Sequence, residues 1–510
     1  MQPKSNKIAD VCLILEGTYP YTMGGVSSWT HELIEMQSHL SFSILALVSS
    51  DAPAKMLYKL PSNVISISTL RLQCLPEGLS TLQAIEEERL FAGLEKPLLN
   101  LQSGASIKDL KLIMDALAPY QGSIGQRLLL DSNPAWSLIL RMYQATMSKV
   151  PFLDYFWSWR ALFGGMFSVL LADLPPAKAY HAMCTGYAGL LLARAHLETG
   201  QPCVVTEHGI YTNERRIEIA SADWLHDPSI FNLTVGSSPE NRELKDFWID
   251  TFNNYSRLCY EACTKIVTLY EGNQEFQLMD GADPKKLQII PNGIDIGRFS
   301  GVTGEQHPPT VALIGRVVPI KDIKTYIKAI HKLKEAFPGV RALMLGPTDE
   351  DPEYAKECLE LVDHLGLKDD LIFTGKVNIM EYLGVIDMIV LTSISEAQPL
   401  VILEAGAAGI PTVATDVGAC REMILGTSRG QQCLEAGGAV VPLAAPQAVA
   451  DALFRLLSEP EYYQRCSQAI AERVCRDYNK EDQYSGYFEL YRQLIEGEES
   501  EEILILQKAA

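Results

Sequence analysis

The segment Ile8-Ala-Asp-Val-Cys-Leu-Ile-Leu15 is apolar except for Asp10 and lies between Lys7 and Glu16. That is the pattern of a strand buried on both faces of a parallel sheet. The loop Glu16-Gly-Thr-Tyr-Pro-Tyr-Thr-Met-Gly24-Gly25 follows, and Val26-Ser-Ser-Trp-Thr-His-Glu-Leu-Ile-Glu-Met36 has the spacing of an amphipathic helix. Residues 42–48 supply the next strand, completing a βαβ unit. Strand and helix patterns then alternate at 179–183, 189–198, 203–207 and 265–269, so the first half reads as a doubly wound α/β domain.

Between about residues 70 and 175 the pattern turns helical, which predicts an insertion in this domain. Its stretch Asp154-Tyr-Phe-Trp-Ser-Trp159 fits helix packing better than a base-stacking platform, since basic residues are absent around it. The insertion, with its Trp157 and Trp159, is the candidate docking surface for membrane partners. A polar segment at 300–309 leads into a second series of strands at 310–314, 342–345, 371–374, 388–392 and 412–414. The expected architecture is therefore α/β, with two Rossmann-like domains facing across a cleft: 1–300, carrying the insertion, and 301–477. Residues 478–510 add a final helix at 482–496 and an acidic tail. Clefts of this kind favour ligands at the carboxyl ends of the strands.

Composition narrows the function. The 510 residues are 47% hydrophobic and carry 43 Lys+Arg against 63 Asp+Glu, a formal net charge of −20. Without a basic block, nucleic acid is excluded as a direct partner. The 11 cysteines include no CxxC pair and no metal-ligand spacing, and Cys259 and Cys263 read as small buried hydrophobes one turn apart. No secretory signal opens the chain, and its longest uncharged apolar run, 161–172, is too short to cross a bilayer. A cytoplasmic protein is expected, one that could still dock on a membrane complex.

Four places can carry chemistry. Gly24-Gly25 precedes a helix, where the backbone can approach a ligand and free N–H groups can face an anion; a tight turn would use the same residues, and no GxGxxG supports a dinucleotide. Arg316 and Lys321, five apart just beyond the first strand of the second domain, can grip a diphosphate from two sides or serve as plain surface charge. In Ser395-Glu396-Ala-Gln-Pro-Leu-Val-Ile-Leu-Glu404-Ala-Gly406, Pro399 suits a helix's first turn. Glu396 then lies before that helix, Glu404 inside it, and exposed N–H groups near Leu400 and Val401. A carboxylate in so apolar a stretch needs a partner such as a ribose diol, unless it is exposed. His208 in Thr206-Glu-His-Gly209 ends a strand and can donate a hydrogen bond to a sugar, or fill a structural role. Asp349-Glu-Asp351 reads as a solvated acidic turn rather than a metal site.

Taken together, Gly24-Gly-Val26, Thr206-Glu-His-Gly209, Pro291-Asn-Gly-Ile-Asp295, the GRxxxxK of Gly315 to Lys321 and the paired glutamates Glu396 and Glu404 resemble the retaining glycosyltransferases of family 4, with the two-domain GT-B fold. The block Leu15-Glu-Gly-Thr-Tyr-Pro-Tyr-Thr-Met-Gly-Gly-Val-Ser-Ser-Trp29 and Thr206-Glu-His-Gly-Ile-Tyr-Thr-Asn-Glu-Arg215 are more similar to the PelF subgroup, the cytoplasmic transferase of Pel exopolysaccharide biosynthesis. The resemblance implies that Arg316 and Lys321 bind the donor diphosphate, Glu404 the ribose, and Glu396 the transferred sugar, aided by amides at Leu400 and Val401. It also implies that backbone at Val377 meets the base, His208 the donor sugar, and Gly24 and Gly25 the phosphates and acceptor. Gln398 departs from the family, where many relatives carry an aromatic residue. The implied reaction is transfer of a hexose or N-acetylhexosamine from a UDP-sugar to a growing glycan, with no cofactor and no metal, among inner-membrane polysaccharide synthase subunits. A nucleotide-sugar epimerase or phosphorylase on the same fold, or a nucleotide-sugar-binding scaffold subunit, are the alternatives.

Overall fold

A computed structural model of the protein describes residues 7–49, 55–78, 82–220, 243–302, 307–426 and 435–497. The chain divides into two compact units. One comprises Met1–Thr268, Gln274–Gln288 and Tyr487–Ala510, and the other Leu269–Asn273 and Ile289–Gly486. Residues 289–300 and 478–486, placed by the sequence reading in the N-terminal domain and the final helix segment, thus fall in the second unit. The expected acidic tail lies outside the described residues beyond Gly497.

The first unit is built on a seven-stranded sheet. Its strands are β1 (Ala9–Glu16), β2 (Phe42–Val48), β3 (Val64–Arg71), β4 (Ala177–Ala182), β5 (Cys203–Glu207), β6 (Lys265–Thr268) and β7 (Leu287–Ile289), in the order β3-β2-β1-β4-β5-β6-β7. The second unit holds β8 (Thr310–Ile314), β9 (Arg341–Leu345), β10 (Leu371–Gly375), β11 (Met388–Leu391), β12 (Thr412–Thr415) and β13 (Gly438–Val441), all parallel, in the order β10-β9-β8-β11-β12-β13. Each order reverses once, between β1 and β4 and between β8 and β11. At such a switch point the flanking loops diverge and leave a crevice beyond the strand ends, where doubly wound folds bind ligands.

Helices α1 (Gly25–Met36), α2 (Ala84–Asn100), α3 (Ile107–Leu117), α4 (Gln126–Leu129), α5 (Asn133–Thr146), α6 (Phe152–Leu171), α7 (Tyr187–Thr199), α8 (Tyr211–Ala220) and α9 (Leu244–Ala262) belong to the first unit. The second unit carries α11 (Ile296–Phe299), α12 (Ile323–Ala336), α13 (Pro352–His364), α14 (Leu400–Ala407), α15 (Cys420–Leu425), α16 (Pro446–Ser458) and α17 (Pro460–Asp477), while α10 (Glu271–Met279) and α18 (Lys480–Glu496) contribute residues to both units.

The insertion is helical, as expected, but it begins after β3, a strand the sequence reading passed over together with β7 and β13. It is also no separate module. Leu94, Ile113, Ile139 and Trp159 share one buried cluster with Cys12 of β1 and Tyr180 of β4, so its apolar faces complete the core of the first unit. Within it Trp159 serves helix packing, 0% exposed with its indole N–H on Met142 Sδ at 3.4 Å, whereas Trp157 is 59% exposed. Cys259 and Cys263 are buried at the end of α9, with their sulfurs 4.0 Å apart. Among the described residues, no helix is long and apolar enough to cross a membrane.

Candidate active site

In the second unit the site residues gather at the β8/β11 switch point. Beyond β8 the chain passes through Gly315 and Arg316 to Lys321. Asp322 then takes a left-handed conformation (φ 44°) and caps α12, its carboxylate accepting from the Thr325 N–H at 3.2 Å. The loop beyond β11 is tied to this turn, because Thr392 Oγ1 donates to the carbonyls of Lys321 and Asp322, both at 3.0 Å, and the Ile394 N–H donates to Ile320 at 2.8 Å. Cross-linking two loops brings their charges together: Lys321 Nζ donates to Glu396 Oε1 at 2.5 Å, with the side chains only 18% and 11% exposed.

Arg316, by contrast, pairs with Glu350, and both side chains are about half exposed. The Asp349-Glu-Asp351 turn accordingly has other work. Glu350 holds Arg316, and Asp351 caps α13 by accepting from Tyr354 N–H at 3.0 Å. Among the described residues no three His, Cys, Asp or Glu side chains gather as a metal-ligand set.

The backbone around Glu396 is held by a second turn. Gly418 has φ 51°, and a Cβ there would stand 2.2 Å from the Glu396 carbonyl oxygen; the Ala419 N–H donates to Ala397 at 2.8 Å. Gln398 is buried, and its Oε1 accepts from the Asn292 N–H at 2.8 Å, fastening the Pro291-Asn-Gly segment to this loop. Helix α14 then starts at Leu400, preceded by Pro399 and with no side-chain cap, so its first N–H groups and the helix dipole favour an anion. Leu400 is exposed and Val401 half-buried, while Glu404, on the second turn, is partly buried. Burial raises the pKa of Glu404, countered by the charge of Arg298 on α11. Val377 follows β10, half-buried against the apolar cluster beneath α14.

In the first unit Gly24 is extended and Gly25 opens α1; a Cβ on either would meet nothing within 4 Å. Trp29, one helical turn beyond Gly25, packs edge-on against the His208 ring with centroids 4.5 Å apart. The spacing and this contact bring the glycine loop and His208, read separately from sequence, into one neighbourhood. Burial depresses the His208 pKa to about 4, so the imidazole is neutral at pH 7, and its Nε2 is buried with no hydrogen-bond partner among the described residues. The neighbouring Glu207 is also fully enclosed. It accepts from Tyr260 Oη at 2.6 Å, Gln277 Nε2 at 2.9 Å and Thr185 Oγ1 at 3.3 Å, and burial lifts its pKa to about 7. Neither Trp29 nor Glu207 was singled out by sequence, because only tertiary packing reveals their neighbours.

Residues 9–285 match the family described as "Domain of unknown function (DUF3492)". The chain belongs to this family. Residues 298–473 match "Glycosyl transferases group 1", so this DUF3492 chain carries a glycosyltransferase of group 1 type. The chain is 25% identical over 304 residues to a D-inositol 3-phosphate glycosyltransferase of Kineococcus radiotolerans, covering 54% of this chain and 68% of the relative. It is 24% identical over 289 residues to an N-acetyl-alpha-D-glucosaminyl L-malate synthase of Bacillus anthracis, covering 56% and 71%. The fold is similar to sucrose-phosphate synthase from Thermosynechococcus elongatus, with TM-score 0.56, 17% identity and coverage of 95% and 98%. Anabaena HepE in complex with UDP is comparable, with TM-score 0.55, 15% identity and coverage of 94% and 98%. The two parallel sheets and these neighbours make the fold GT-B.

Proposed function

We propose that the protein transfers a hexose or N-acetylhexosamine from a UDP-sugar to a growing glycan with retention at the anomeric carbon, as the resemblance to the PelF subgroup of Pel exopolysaccharide biosynthesis suggests. One observation carries this reading: Lys321 and Glu396, from loops fastened together at the β8/β11 switch point, lie next to the uncapped start of the helix that bears Glu404. We read Lys321 and the first amides of that helix as partners of the diphosphate, and Glu404, one turn on, as the partner of the ribose diol. The UDP complex of HepE supports a uridine donor, and the names of the relatives, a glycosyltransferase and a glucosaminyl L-malate synthase, support transfer of a sugar to an acceptor in general.

In this reading Arg316, Lys321 and the amides of Leu400 and Val401 stabilise the charge developing on the leaving phosphate, and the backbone at Val377 meets the base. Glu396 orients the transferred sugar and, held by Lys321, does not act as a covalent nucleophile in the manner of retaining glycosidases. The acceptor hydroxyl attacks from the face that the diphosphate leaves. In the first unit His208 donates to the sugar, and Gly24 and Gly25 admit phosphate and acceptor. Protein cations serve in place of a metal, so chelator leaves the rate unchanged.

The test is UDP release from a panel of UDP-sugars by the purified chain, with and without glycan acceptor, and NMR of the product's anomeric proton. Acceptor-dependent release with retained configuration is expected. Turnover of donor that acceptor does not increase would instead indicate an epimerase or phosphorylase. Polymer formation undiminished in Glu396→Ala and Arg316→Ala would indicate a binding scaffold.

A further inference from the structure

Among the described residues, the contact that holds the His208 ring is aromatic packing. Trp29 lies one turn beyond Gly25 and therefore on the same side of α1 as the glycine loop. Its ring meets His208 at 81° with centroids 4.5 Å apart, and Tyr487 of α18 braces the indole at 5.2 Å and 73°. Tyr487 is fixed in turn: its hydroxyl is 3.2 Å from Thr206 Oγ1, which is 2.8 Å from His181 Nε2, while His181 Nδ1 is 2.7 Å from the Tyr491 hydroxyl. This network holds the chain two residues before His208. Among the described residues His208 Nε2 is a buried polar atom without a hydrogen-bond partner, an arrangement that costs stability unless a ligand group satisfies it.

We propose that Trp29 is a positioning residue for His208, fixing the imidazole so that Nε2 is presented to a hydroxyl of the transferred sugar, with Tyr487 as the brace behind it. The proposal rests on the reading that His208 meets the donor sugar. The titratable groups that face this imidazole are shifted toward their neutral forms. His181 on β4 is itself neutral, its pKa lowered to about 3 by burial and by His208; Tyr487 and Tyr491 on α18 are held protonated by burial; and Glu214 of α8, whose carboxylate lies 2.2 Å from where a Cβ on Gly209 would stand, is pushed toward its neutral form by burial. Burial alone keeps His208 neutral, and Trp29 supplies part of that burial.

The experiment measures sugar transfer from pH 5 to 8 for the full-length wild type, Trp29→Ala, Trp29→Phe, His208→Ala and the double variant Trp29→Ala/His208→Ala. Histidine NMR titrations of wild type and Trp29→Phe accompany it. Trp29→Ala should lower kcat/KM for the donor at least ~10-fold and acquire an acid limb. Water reaching the ring moves its pKa toward the ordinary value of about 6.5, and below that pH the ring still donates but carries a positive charge beside the transferred sugar that the buried wild-type imidazole does not carry. Trp29→Phe should recover most of the rate, and adding Trp29→Ala to His208→Ala should cost little more. In the titrations the His208 pKa should rise by about one unit in Trp29→Phe, a shift that stays readable if Trp29→Ala fails to fold. An unshifted His208 titration, or additive losses in the double variant, overturns the role of Trp29 alone. Full activity of His208→Ala overturns the reading of His208 and this proposal with it.

Discussion

Replacing Lys321 by methionine leaves the Glu396 carboxylate, 11% exposed, without its cation. Breaking one side of a buried pair costs about 3–5 kcal/mol, because the remaining charge has lost both water and partner. The second unit contains about 200 residues, for which each kcal/mol moves the melting temperature by roughly 2–4 °C. A fall of roughly 6–20 °C in the transition of that unit is therefore expected by scanning calorimetry of the full chain. Glu396→Gln should cost less, about 1–3 kcal/mol, since an amide oxygen still accepts from the ammonium. The double variant Lys321→Met/Glu396→Leu should regain most of the loss, as apolar replacement of a buried pair is often neutral. Arg316→Ala is the internal control: its partner Glu350 is half exposed, so the pair contributes about 0–1 kcal/mol. Shifts under 2 °C for Lys321→Met, or a double variant whose loss equals the sum of the singles, would refute this reasoning.

Gly25→Ala meets no protein atom within 4 Å, so melting should stay within about 1 °C while transfer drops at least ~10-fold; Gly418→Ala, at φ 51° and against the Glu396 carbonyl, should instead destabilise the fold. Glu207, with its pKa raised to about 7, binds a proton in the folded state that the unfolded chain releases near 4.5. Its contribution is full below pH 4.5 and is lost as pH rises through 7, by at most about 3 kcal/mol, and Glu207→Gln should flatten that part of a stability-versus-pH curve. Trp159→Ala empties a core site and should cost about 3–5 kcal/mol in urea denaturation, whereas Trp157→Ala at an exposed position should cost under about 0.5.

Strands buried on both faces were the most legible part of the sequence. Phe42–Val48 is apolar but for Ser43, and Cys203–Glu207 opens on three apolar residues; the ends of both in the structure coincide with those read from the residues. Val64–Arg71 escaped because it pairs on one side only, with β2, and is half-exposed, so serine and threonine alternate with its apolar residues. Gly438–Val441 escaped because it is four residues long and opens on a glycine at φ 149°. Within the site, Pro399 before a helix located Glu396 and Glu404 correctly from chain chemistry alone. The Lys321–Glu396 pair joins residues 75 apart, and the packing of Trp29 against His208 joins residues further apart still. No local pattern encodes such contacts; they arise when separate strand ends converge.

Isothermal titration of UDP, uridine and ADP into the wild type and into Lys321→Ala tests the central claim most directly, because it separates recognition of the diphosphate from that of the base. UDP should bind, uridine at least ~10-fold more weakly, ADP more weakly than UDP, and Lys321→Ala should erase most of the advantage of UDP over uridine. Equal affinity for UDP and uridine, or UDP binding unchanged in Lys321→Ala, would contradict it.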